Sequence, residues 1–172
     1  MKFTSVAVTV AVSLALQLAL ARYAAGGRWL FDFVLIGVVY AALNWGSVAG
    51  MLAGTIGGIL QDLLSNDVVG TGGLTKTLVG FASGVVGTQF VIGSMARVGL
   101  LAGASVVHRM LVIGLRAVID QQWHTMPWGA LAGETLLNAL CGLIVFQLGE
   151  SLPGAVSRGR KATRSGLKRR EW

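Results

Sequence analysis

Residues 46–62, GSVAGMLAGTIGGILQD, place a glycine at every fourth position and end the series on an aspartate. The series comprises Gly46, Gly50, Gly54, Gly58 and Asp62. In an α-helix, each step of four residues turns about 40° beyond a full circle, so this stripe winds slowly around the helix. Small residues at this spacing are typical of membrane helices that cross closely, because lipid offers no hydrophobic drive for their association. The stretch therefore predicts a membrane helix whose backbone packs against a crossing partner.

A second glycine stripe, a short distance along the chain, indicates that partner. Its three glycines have the spacing i, i+4, i+7, which puts them on one face of a helix. Because only a short loop separates the two stretches, we expect antiparallel neighbouring helices with facing glycines. The predicted helix-packing residues are Gly50, Gly54, Gly58, Gly80, Gly84 and Gly87.

The segment between the stripes resembles a phosphate-binding loop. DVVGTGGLTKTL, residues 67–78, places Gly70 and the pair Lys76-Thr77 where the pattern G-x-x-x-x-G-K-[ST] requires them. Thr75, however, precedes the lysine where that pattern has a glycine. A P-loop also follows a strand, whereas here a glycine-rich apolar helix is predicted ahead of Gly70. Nucleotide binding is therefore not expected, and the glycines of this segment are interpreted as serving the turn.

The composition places both stripes in an integral membrane protein. Of the 172 residues, 54% are hydrophobic and 12% are charged, and the mean hydropathy is +0.72. Soluble domains carry about 25% charged residues, roughly twice this share. Seven of the fourteen Lys and Arg residues lie between Arg158 and Arg170, so the rest of the chain could hardly cover a water-soluble surface. The predicted fold class is an all-α integral membrane protein.

Six stretches are apolar enough to be interpreted as transmembrane helices, which need about 20 residues each. The predicted spans are Phe3–Ala21, Leu30–Leu43, Ser47–Leu64, Gly73–Gly93, Val98–Ile119 and Trp128–Leu148. They predict a six-transmembrane-helix bundle over residues 1–152, followed by a basic cytoplasmic tail over residues 153–172. The second span is short, and we expect it to use Trp29 and Trp45 as interfacial anchors.

The first span has an alternative interpretation as a signal peptide. Ala19-Leu20-Ala21 resembles a small-residue cleavage site at its end. Its apolar run, however, exceeds the roughly 7–15 residues of a signal core, and only Lys2 supplies the positive charge ahead of it. We therefore expect an uncleaved transmembrane helix.

Lysine and arginine near the span ends predict the orientation, because cytoplasmic loops carry an excess of them. The basic tail places the C-terminus in the cytoplasm, and an even number of spans then places the N-terminus there too. The loop of residues 65–72, which has no basic residue, falls outside, whereas Arg22 and Arg28 violate the rule. The prediction is N-in/C-in, with the tail on anionic membrane lipid and no nucleic acid as a partner.

Ionisable side chains inside a membrane are costly, so each one is a candidate for function. The candidates for intramembrane polar or partner contacts are Asp32, Asp62, Arg109 and Glu134. Asp62 is interpreted as a helix-end carboxylate that accepts backbone N–H groups of the glycine-rich turn, with substrate or proton binding as the alternative. Asp32 suits the N-terminal end of a helix dipole. Arg109 either extends along a tilted helix or pairs with Asp32, Asp62 or Glu134.

Catalytic, cofactor-binding and metal sites are not predicted. One of the two histidines, His108, lies within a span and the other, His124, in a loop, and no His, Cys, Asp and Glu cluster has metal-ligand spacing. The single cysteine, Cys141, lies in an apolar run and provides neither a disulfide nor a thiol metal site. No serine stands in a G-x-S-x-G motif. No enzyme is therefore predicted.

Residues 31–84 contain several short motifs in a fixed order. Asp32 opens the second span, whose apolar run ends in Tyr40-Ala41-Ala42-Leu43. The glycine-rich third span closes in Gln61-Asp62-Leu63-Leu64, and a short loop with glycine leads to Gly80-Phe81 and Gly84. In content and order these motifs resemble the rod shape-determining protein MreD family.

The resemblance extends beyond this stretch, with one departure. The family usually has a proline before the opening aspartate, where this chain has Phe31. In the sixth span, Leu137-Asn138-Ala139-Leu140 is also similar to the end of the family's sequences. The specific similarity covers about a third of the chain, and size and span number agree over the rest.

The resemblance implies a non-catalytic scaffold in the bacterial inner membrane. Proteins of this family belong to the machinery of cell elongation and lateral peptidoglycan synthesis. They work with MreC, with the actin-like MreB filament, and with the RodA glycosyltransferase and its penicillin-binding transpeptidase. MreC would be the direct partner, and no cofactor is implied.

The family is thought to share the six-helix fold of the S-components of energy-coupling-factor transporters, which suggests an alternative function. S-components bind vitamins and dock their membrane partner through a stripe of small residues. Such a stripe is present on the first span, at Ala7, Ala11, Ala15 and Ala19, although ordinary packing is our interpretation of it. A vitamin site needs an external pocket lined by polar and aromatic side chains, and the outer loops are short and poor in them. The scaffold is therefore favoured over the vitamin-binding subunit.

Overall fold

The computed structural model describes residues 2–21, 31–65, 68–90, 93–121 and 128–151. Within these ranges the chain forms six α-helices and no β-strand, which confirms the all-α class. The helices are α1 (Lys2–Ala21), α2 (Phe33–Trp45), α3 (Ser47–Ser65), α4 (Thr71–Gln89), α5 (Ser94–Asp120) and α6 (Trp128–Ser151). The basic tail of residues 153–172, together with Arg22, Arg28, Trp29 and His124, lies outside the described ranges.

Four of these helices, α1, α3, α5 and α6, are long and apolar enough to cross a membrane. α2 is apolar but has only 13 residues, a length of about 20 Å against the roughly 30 Å of a bilayer's hydrocarbon core. α4 has 19 residues but is less apolar, because its buried face includes Thr71, Thr75, Lys76 and Ser83. Four helices thus have the length and composition of membrane-spanning helices, whereas α2 is shorter and α4 is more polar.

α2 lies at the centre of the described helices, because it is buried around its whole circumference. Its buried residues are Val34, Leu35, Ile36, Gly37, Val38, Val39, Ala41 and Ala42. One apolar cluster joins α2 to α1 and α3 and includes Val10 and Ala53. A second cluster joins α2 to α4, α5 and α6 and includes Leu101 and Phe146. A helix that is apolar on all sides is typical of such a position, and α2 connects the two clusters.

Trp45 has a packing role in addition to the interfacial one expected of it. Its ring is partly buried against the cluster that joins α1, α2 and α3. It also meets the Tyr40 ring edge-on, with 6.0 Å between the ring centroids. Tyr40 in turn stacks on Phe146 of α6, again at 6.0 Å. The aromatic residues at the end of α2 thus link the two apolar clusters.

The backbones of α3 and α4 touch along the two glycine stripes. In each of three opposing pairs, a Cβ atom added to the α3 glycine would meet the carbonyl oxygen of the α4 residue, at 2.6 Å in the last pair. The pairs are Gly50 and Gly80, Gly54 and Lys76, and Gly58 and Gly72. From one contact pair to the next, the residue number rises by four on α3 and falls by four on α4. The close antiparallel crossing expected from the stripes is present, and its register repeats at every step.

The remaining glycines of the α4 stripe have different neighbours. A Cβ atom at Gly84 would meet the backbone of Ser47 at the start of α3. A Cβ atom at Gly87 would lie 2.7 Å from the Leu43 side chain of α2. Gly87 therefore packs helices as expected, but against α2 rather than α3, because the end of α4 passes over the end of α2.

Gly46, the first member of the ladder, makes a turn. It is the single residue between α2 and α3, and its φ of 96° lies in the left-handed region that favours glycine. Its N–H donates to the Ala42 carbonyl oxygen at 2.9 Å, which closes the last turn of α2. The helical part of the ladder therefore begins at Gly50.

Replacing Gly54 with alanine should destabilise the protein through this backbone contact. The added Cβ would meet the Lys76 carbonyl carbon at 2.5 Å, and overpacking of this kind costs about 1–3 kcal/mol. Gly103→Ala in α5 is the matched control, since its Cβ would have no neighbour within 4 Å among the described residues. Alanine there should be neutral or stabilising, because it favours helix by up to about 1 kcal/mol. Thermal unfolding of both variants in detergent measures the difference, and equal melting temperatures would contradict the close crossing.

Candidate functional site

A polar cavity of about 130 Å³ lies at one end of the bundle. It is enclosed by the starts of α2, α4 and α6, the end of α3 and the second half of α5. Its ionisable lining residues are Asp32, Asp62, Lys76, His108, Arg109, Arg116 and Glu134. All four polar candidates from the sequence are therefore brought together in one site, with three further ionisable residues that the sequence reasoning had not assigned to it.

One face of α5 supplies the largest share of this lining. The lining residues of α5 are Ser105, His108, Arg109, Val112 and Arg116. Their spacing of i, i+3, i+4, i+7 and i+11 places them on a single helical face. This periodicity of polar residues inside an apolar helix is a sequence signal for the site, and it becomes visible only when His108, Arg109 and Arg116 are taken together.

Asp32 both caps α2 and pairs with a buried lysine. Its Oδ1 accepts a hydrogen bond from the Leu35 backbone N–H at 2.9 Å, as an N-cap aspartate does. Its Oδ2 lies 2.8 Å from the Lys76 ammonium and 3.4 Å from Nε2 of His108. The Lys76 side chain is only 4% exposed, and an ionised side chain is buried at such a place only when it is paired.

Lys76 is the functional candidate that the sequence analysis missed. The sequence pattern presents it as the lysine of a possible phosphate-binding loop, whereas its ammonium pairs with Asp32, the N-cap residue of α2. Gly70 ahead of it has a φ of 101° and belongs to a turn that follows α3, not to a loop that follows a strand. The available signal is a lysine within a stretch interpreted as a membrane span, because a charged side chain there usually has a partner inside the protein.

Arg109 pairs with Glu134, which decides among its possible partners. Nη2 of Arg109 lies 3.3 Å from Oε1 of Glu134, and the contact joins α5 to α6. Both side chains are largely buried, at 30% and 20% exposure. The two other carboxylates proposed as partners have contacts elsewhere: Asp32 pairs with Lys76, and Asp62 accepts hydrogen bonds from backbone N–H groups.

Asp62 holds the start of α4. Its Oδ2 accepts hydrogen bonds from the backbone N–H groups of Gly70, Gly72 and Gly73, at 2.8, 3.0 and 3.3 Å. A helix N-terminus leaves such N–H groups without partners in the helix and attracts negative charge. This is the geometry expected of a helix-end carboxylate, with the difference that Asp62 belongs to α3 and caps the next helix. It continues the α3–α4 register one step beyond Gly58.

Two amide side chains fix the backbone on either side of Asp32. Gln17 of α1 donates from Nε2 to the Phe31 carbonyl oxygen and accepts from the Phe33 N–H, at 2.9 and 2.8 Å. Asn138 of α6 accepts from the Asp32 N–H at 3.0 Å and donates from Nδ2 to Oγ of Ser105 at 3.3 Å. The backbone that carries the Asp32 carboxylate is therefore held by hydrogen bonds from both α1 and α6. Gln17 carried no recognisable sequence signal, whereas Asn138 lies in the motif of the sixth helix.

The chemistry of this arrangement is that of binding and charge pairing. In the part of the chain that the structure describes, no group of three or more His, Cys, Asp or Glu residues is placed to hold a metal ion. Cys141 lies against the apolar cluster of α2, α4, α5 and α6 and is not part of the cavity lining. Oppositely charged side chains instead pair at the cavity, Lys76 with Asp32 and Arg109 with Glu134.

Comparisons with known protein families, with curated proteins and with solved structures found no match. Over the residues that the structure describes, the chain is thus an all-helical protein of six helices, four of them apolar and of membrane-spanning length, with a charged cavity at one end.

The Asp32–Lys76 pair can be tested by a double-mutant cycle in the free energy of unfolding. Asp32→Asn keeps the N-cap but leaves Lys76 without its carboxylate, and Lys76→Met removes the cation. Each single change should cost about 3–5 kcal/mol, because it leaves an uncompensated buried charge. Asp32→Asn/Lys76→Met should recover part of the loss, with a coupling of about 0.5–3 kcal/mol. Unfolding in mixed micelles measures all four proteins, and strictly additive costs would mean that the pair is not a unit.

Proposed function

We infer that this chain is a non-catalytic scaffold of the MreD type in the bacterial inner membrane. In this proposal it binds MreC and links it to MreB and to the RodA glycosyltransferase with its penicillin-binding transpeptidase. The chain would thus serve cell elongation and lateral peptidoglycan synthesis. Its fold would be a six-span bundle similar to that of S-components.

The observation that carries the proposal is the structural role of the motif residues. Asp32 caps α2 and pairs with Lys76, and Asp62 fixes the start of α4. Gly80 and Gly84 allow the backbone contact with α3. The motifs that resemble the family therefore supply contacts that join the helices of this chain, which supports a structural role for them. The charged side chains of the cavity pair with each other, Asp32 with Lys76 and Glu134 with Arg109.

The alternative, a vitamin-binding S-component, is favoured by the presence of a polar cavity but not by its size. Small-molecule sites usually measure about 300–1,000 Å³, and this cavity measures about 130 Å³. Its lining has one aromatic residue, Phe31, among the described residues. A vitamin would therefore need a larger site than the one observed, so the scaffold remains the better supported proposal.

The alanine stripe of α1 suits either kind of membrane partner. Ala7, Ala11, Ala15 and Ala19 are all exposed, whereas α1 packs on the bundle through Val6, Val10, Ser13 and Gln17. The interpretation of the stripe as packing within the chain is thus wrong. Small residues on an outward face allow a second membrane helix to approach closely. The stripe is consistent with the membrane anchor of MreC as well as with the partner of an S-component.

The proposed topology is N-in/C-in, which places the polar cavity at the outer end of the bundle. The C-terminal ends of α1, α3 and α5 would then face the periplasm, and residues 153–172 would lie at the anionic inner surface. A reporter that is fluorescent only in the cytoplasm, fused after Trp172, should be active. A fusion after residue 67 is the matched control and should be inactive. Activity of a periplasm-specific reporter at the first position would overturn this topology.

Co-purification with MreC tests the proposed function directly. The tagged chain, co-expressed with MreC and extracted in mild detergent, should retain MreC in near-equal amount through size-exclusion chromatography. An unrelated six-span membrane protein with the same tag is the control. The purified chain should show no saturable binding of riboflavin, thiamine or biotin. Loss of MreC together with saturable binding of a vitamin would replace the scaffold by the S-component alternative.

A further inference from the structure

Three charged or ionisable side chains meet in a compact triangle in the cavity lining. They are Asp32 at the start of α2, Lys76 of α4 and His108 of α5. Oδ2 of Asp32 lies 2.8 Å from Nζ of Lys76 and 3.4 Å from Nε2 of His108. The two nitrogen atoms lie 3.3 Å from each other. A single carboxylate oxygen thus faces two nitrogen atoms that can compete for it.

Nε2 of His108 can change its role in this triangle, whereas the other two atoms cannot. An ammonium group only donates hydrogen bonds, and an ionised carboxylate only accepts them. In a neutral imidazole ring, Nε2 either accepts from Lys76 or donates to Asp32, and in both cases the triangle has no net charge. Once the ring takes up a proton, Nε2 can only donate. It then competes with Lys76 for the same oxygen of Asp32, and the triangle becomes positively charged.

The charged groups around His108 come from every helix packed at the cavity. They are Asp32 of α2, Asp62 of α3, Lys76 of α4, Arg109 and Arg116 of α5, and Glu134 of α6. These three carboxylates and three cations balance while His108 is neutral. Histidine is the side chain that ordinarily changes its charge near neutral pH. A proton on His108 is therefore a charge that this lining does not already match.

The cavity gives protons from the aqueous phase a route to His108. Its α5 lining extends from Ser105, near the middle of the helix, to Arg116, a length of about 16 Å. The hydrocarbon core of a bilayer is roughly 30 Å thick. The side chains of His108 and Asp32 retain 12% and 18% exposure, and a volume of about 130 Å³ holds several water molecules. Water in the cavity can therefore carry protons from one end of the bundle to the middle of α5.

We propose that this cavity is a water-filled half-channel with a proton-binding site at His108, and that proton binding replaces Lys76 by His108 as the partner of Asp32. Lys76 cannot move away with its helix, because the backbone of α4 is in contact with α3 at this residue. The protonated ring and the Lys76 ammonium then repel each other, which weakens the packing of α5 on α4. This site is independent of the proposed scaffold role, and it responds to the pH on the side where the cavity opens.

Proton uptake should destabilise the fold as long as Lys76 is present. Lys76 and Arg109 are cations beside the ring, and the Lys76 side chain is only 4% exposed, so water screens their repulsion poorly. In the unfolded chain the ring is solvated and takes up a proton near pH 6.5. Acidification from about pH 7.5 to about pH 5.5 should therefore raise the ratio of unfolded to folded protein by up to about tenfold.

Lys76→Met should reverse the sign of this response. Without the ammonium group, protonated His108 supplies the cation that Asp32 lacks, so the same acidification should lower the ratio of unfolded to folded protein. Lys76→Met/His108→Gln is the matched control, because it lacks the titrating ring and its response measures the protonation of Asp32 alone. The response of Lys76→Met should exceed that of the control several-fold.

The two histidines of the chain provide a second matched pair of variants. His108→Gln should remove the pH response, because glutamine does not titrate but can still accept a hydrogen bond from Lys76. His124→Gln should keep the response of the parent protein. Equilibrium unfolding in mixed micelles at each pH measures all of these variants.

Nuclear magnetic resonance measures the protonation of the ring without any unfolding. In the His124→Gln chain, His108 is the single histidine, so the ring nitrogen signals of isotope-labelled histidine report on it alone. Near pH 6.5, the ring should be neutral when Lys76 is present and protonated in His124→Gln/Lys76→Met.

Each result has a definite meaning for the proposal. A sign reversal in Lys76→Met, together with a protonated ring in the same background, supports the exchange of partners at Asp32. The same pH response in the parent and in His108→Gln overturns the proposal, because the titrating group then lies elsewhere. A ring that stays neutral after the loss of Lys76 also overturns it, because His108 then does not replace the lysine.

Discussion

The direct contact between the backbones of α3 and α4 is the constraint on which the rest of the structure depends. With glycine at Gly50, Gly54 and Gly58, no side chain separates the two helices, and the carbonyl oxygen of Lys76 lies against Gly54. The close contact between Gly54 and the Lys76 carbonyl group therefore fixes the position of Lys76 relative to α3. Because the register advances by four residues at each step, Asp62 arrives opposite the first N–H groups of α4, where its carboxylate binds them. Packing at one end of the crossing thus determines the electrostatics at the other.

The polar cavity is the second consequence of that crossing. α4 can lie close to α3 only with its polar residues buried, and the Lys76 ammonium then needs a carboxylate that a third helix provides. Asp32 meets this requirement at the start of α2, where Gln17 and Asn138 hold the adjoining backbone. Removing one partner of such a network is costly, whereas the complete network favours one arrangement of helices over others. Charge pairing therefore favours one particular arrangement of the helices, whereas the apolar clusters impose no such directional requirement.

Features that depend on local spacing were predictable from the sequence, and features that depend on which helices adjoin were not. The glycine stripes and the helix-end position of Asp62 follow from a repeat of four residues and from the adjacent turn. The helix ends were less accurate, since the predicted span Leu30–Leu43 is observed as Phe33–Trp45, because hydropathy does not register an N-cap such as Asp32. Lys76 and Asp32 are far apart in sequence, and the residues around either one do not predict that the two will pair. The outward alanine stripe of α1 was misjudged for a related reason, because periodicity identifies a face but not what lies against it.

The shortness of α2 has a consequence for the surrounding lipid. A helix of 13 residues exposed to a bilayer would create a hydrophobic mismatch of about 10 Å, which lipids relieve by thinning or by tilting the helix. α2 is enclosed by its neighbours, so no acyl chain has to adapt to it. Exposed apolar side chains lie instead on longer helices such as α1, α5 and α6. The polar cavity lies at the start of α2, where a longer helix would continue. Water or a polar group in this cavity can therefore lie below the membrane surface without deforming the bilayer.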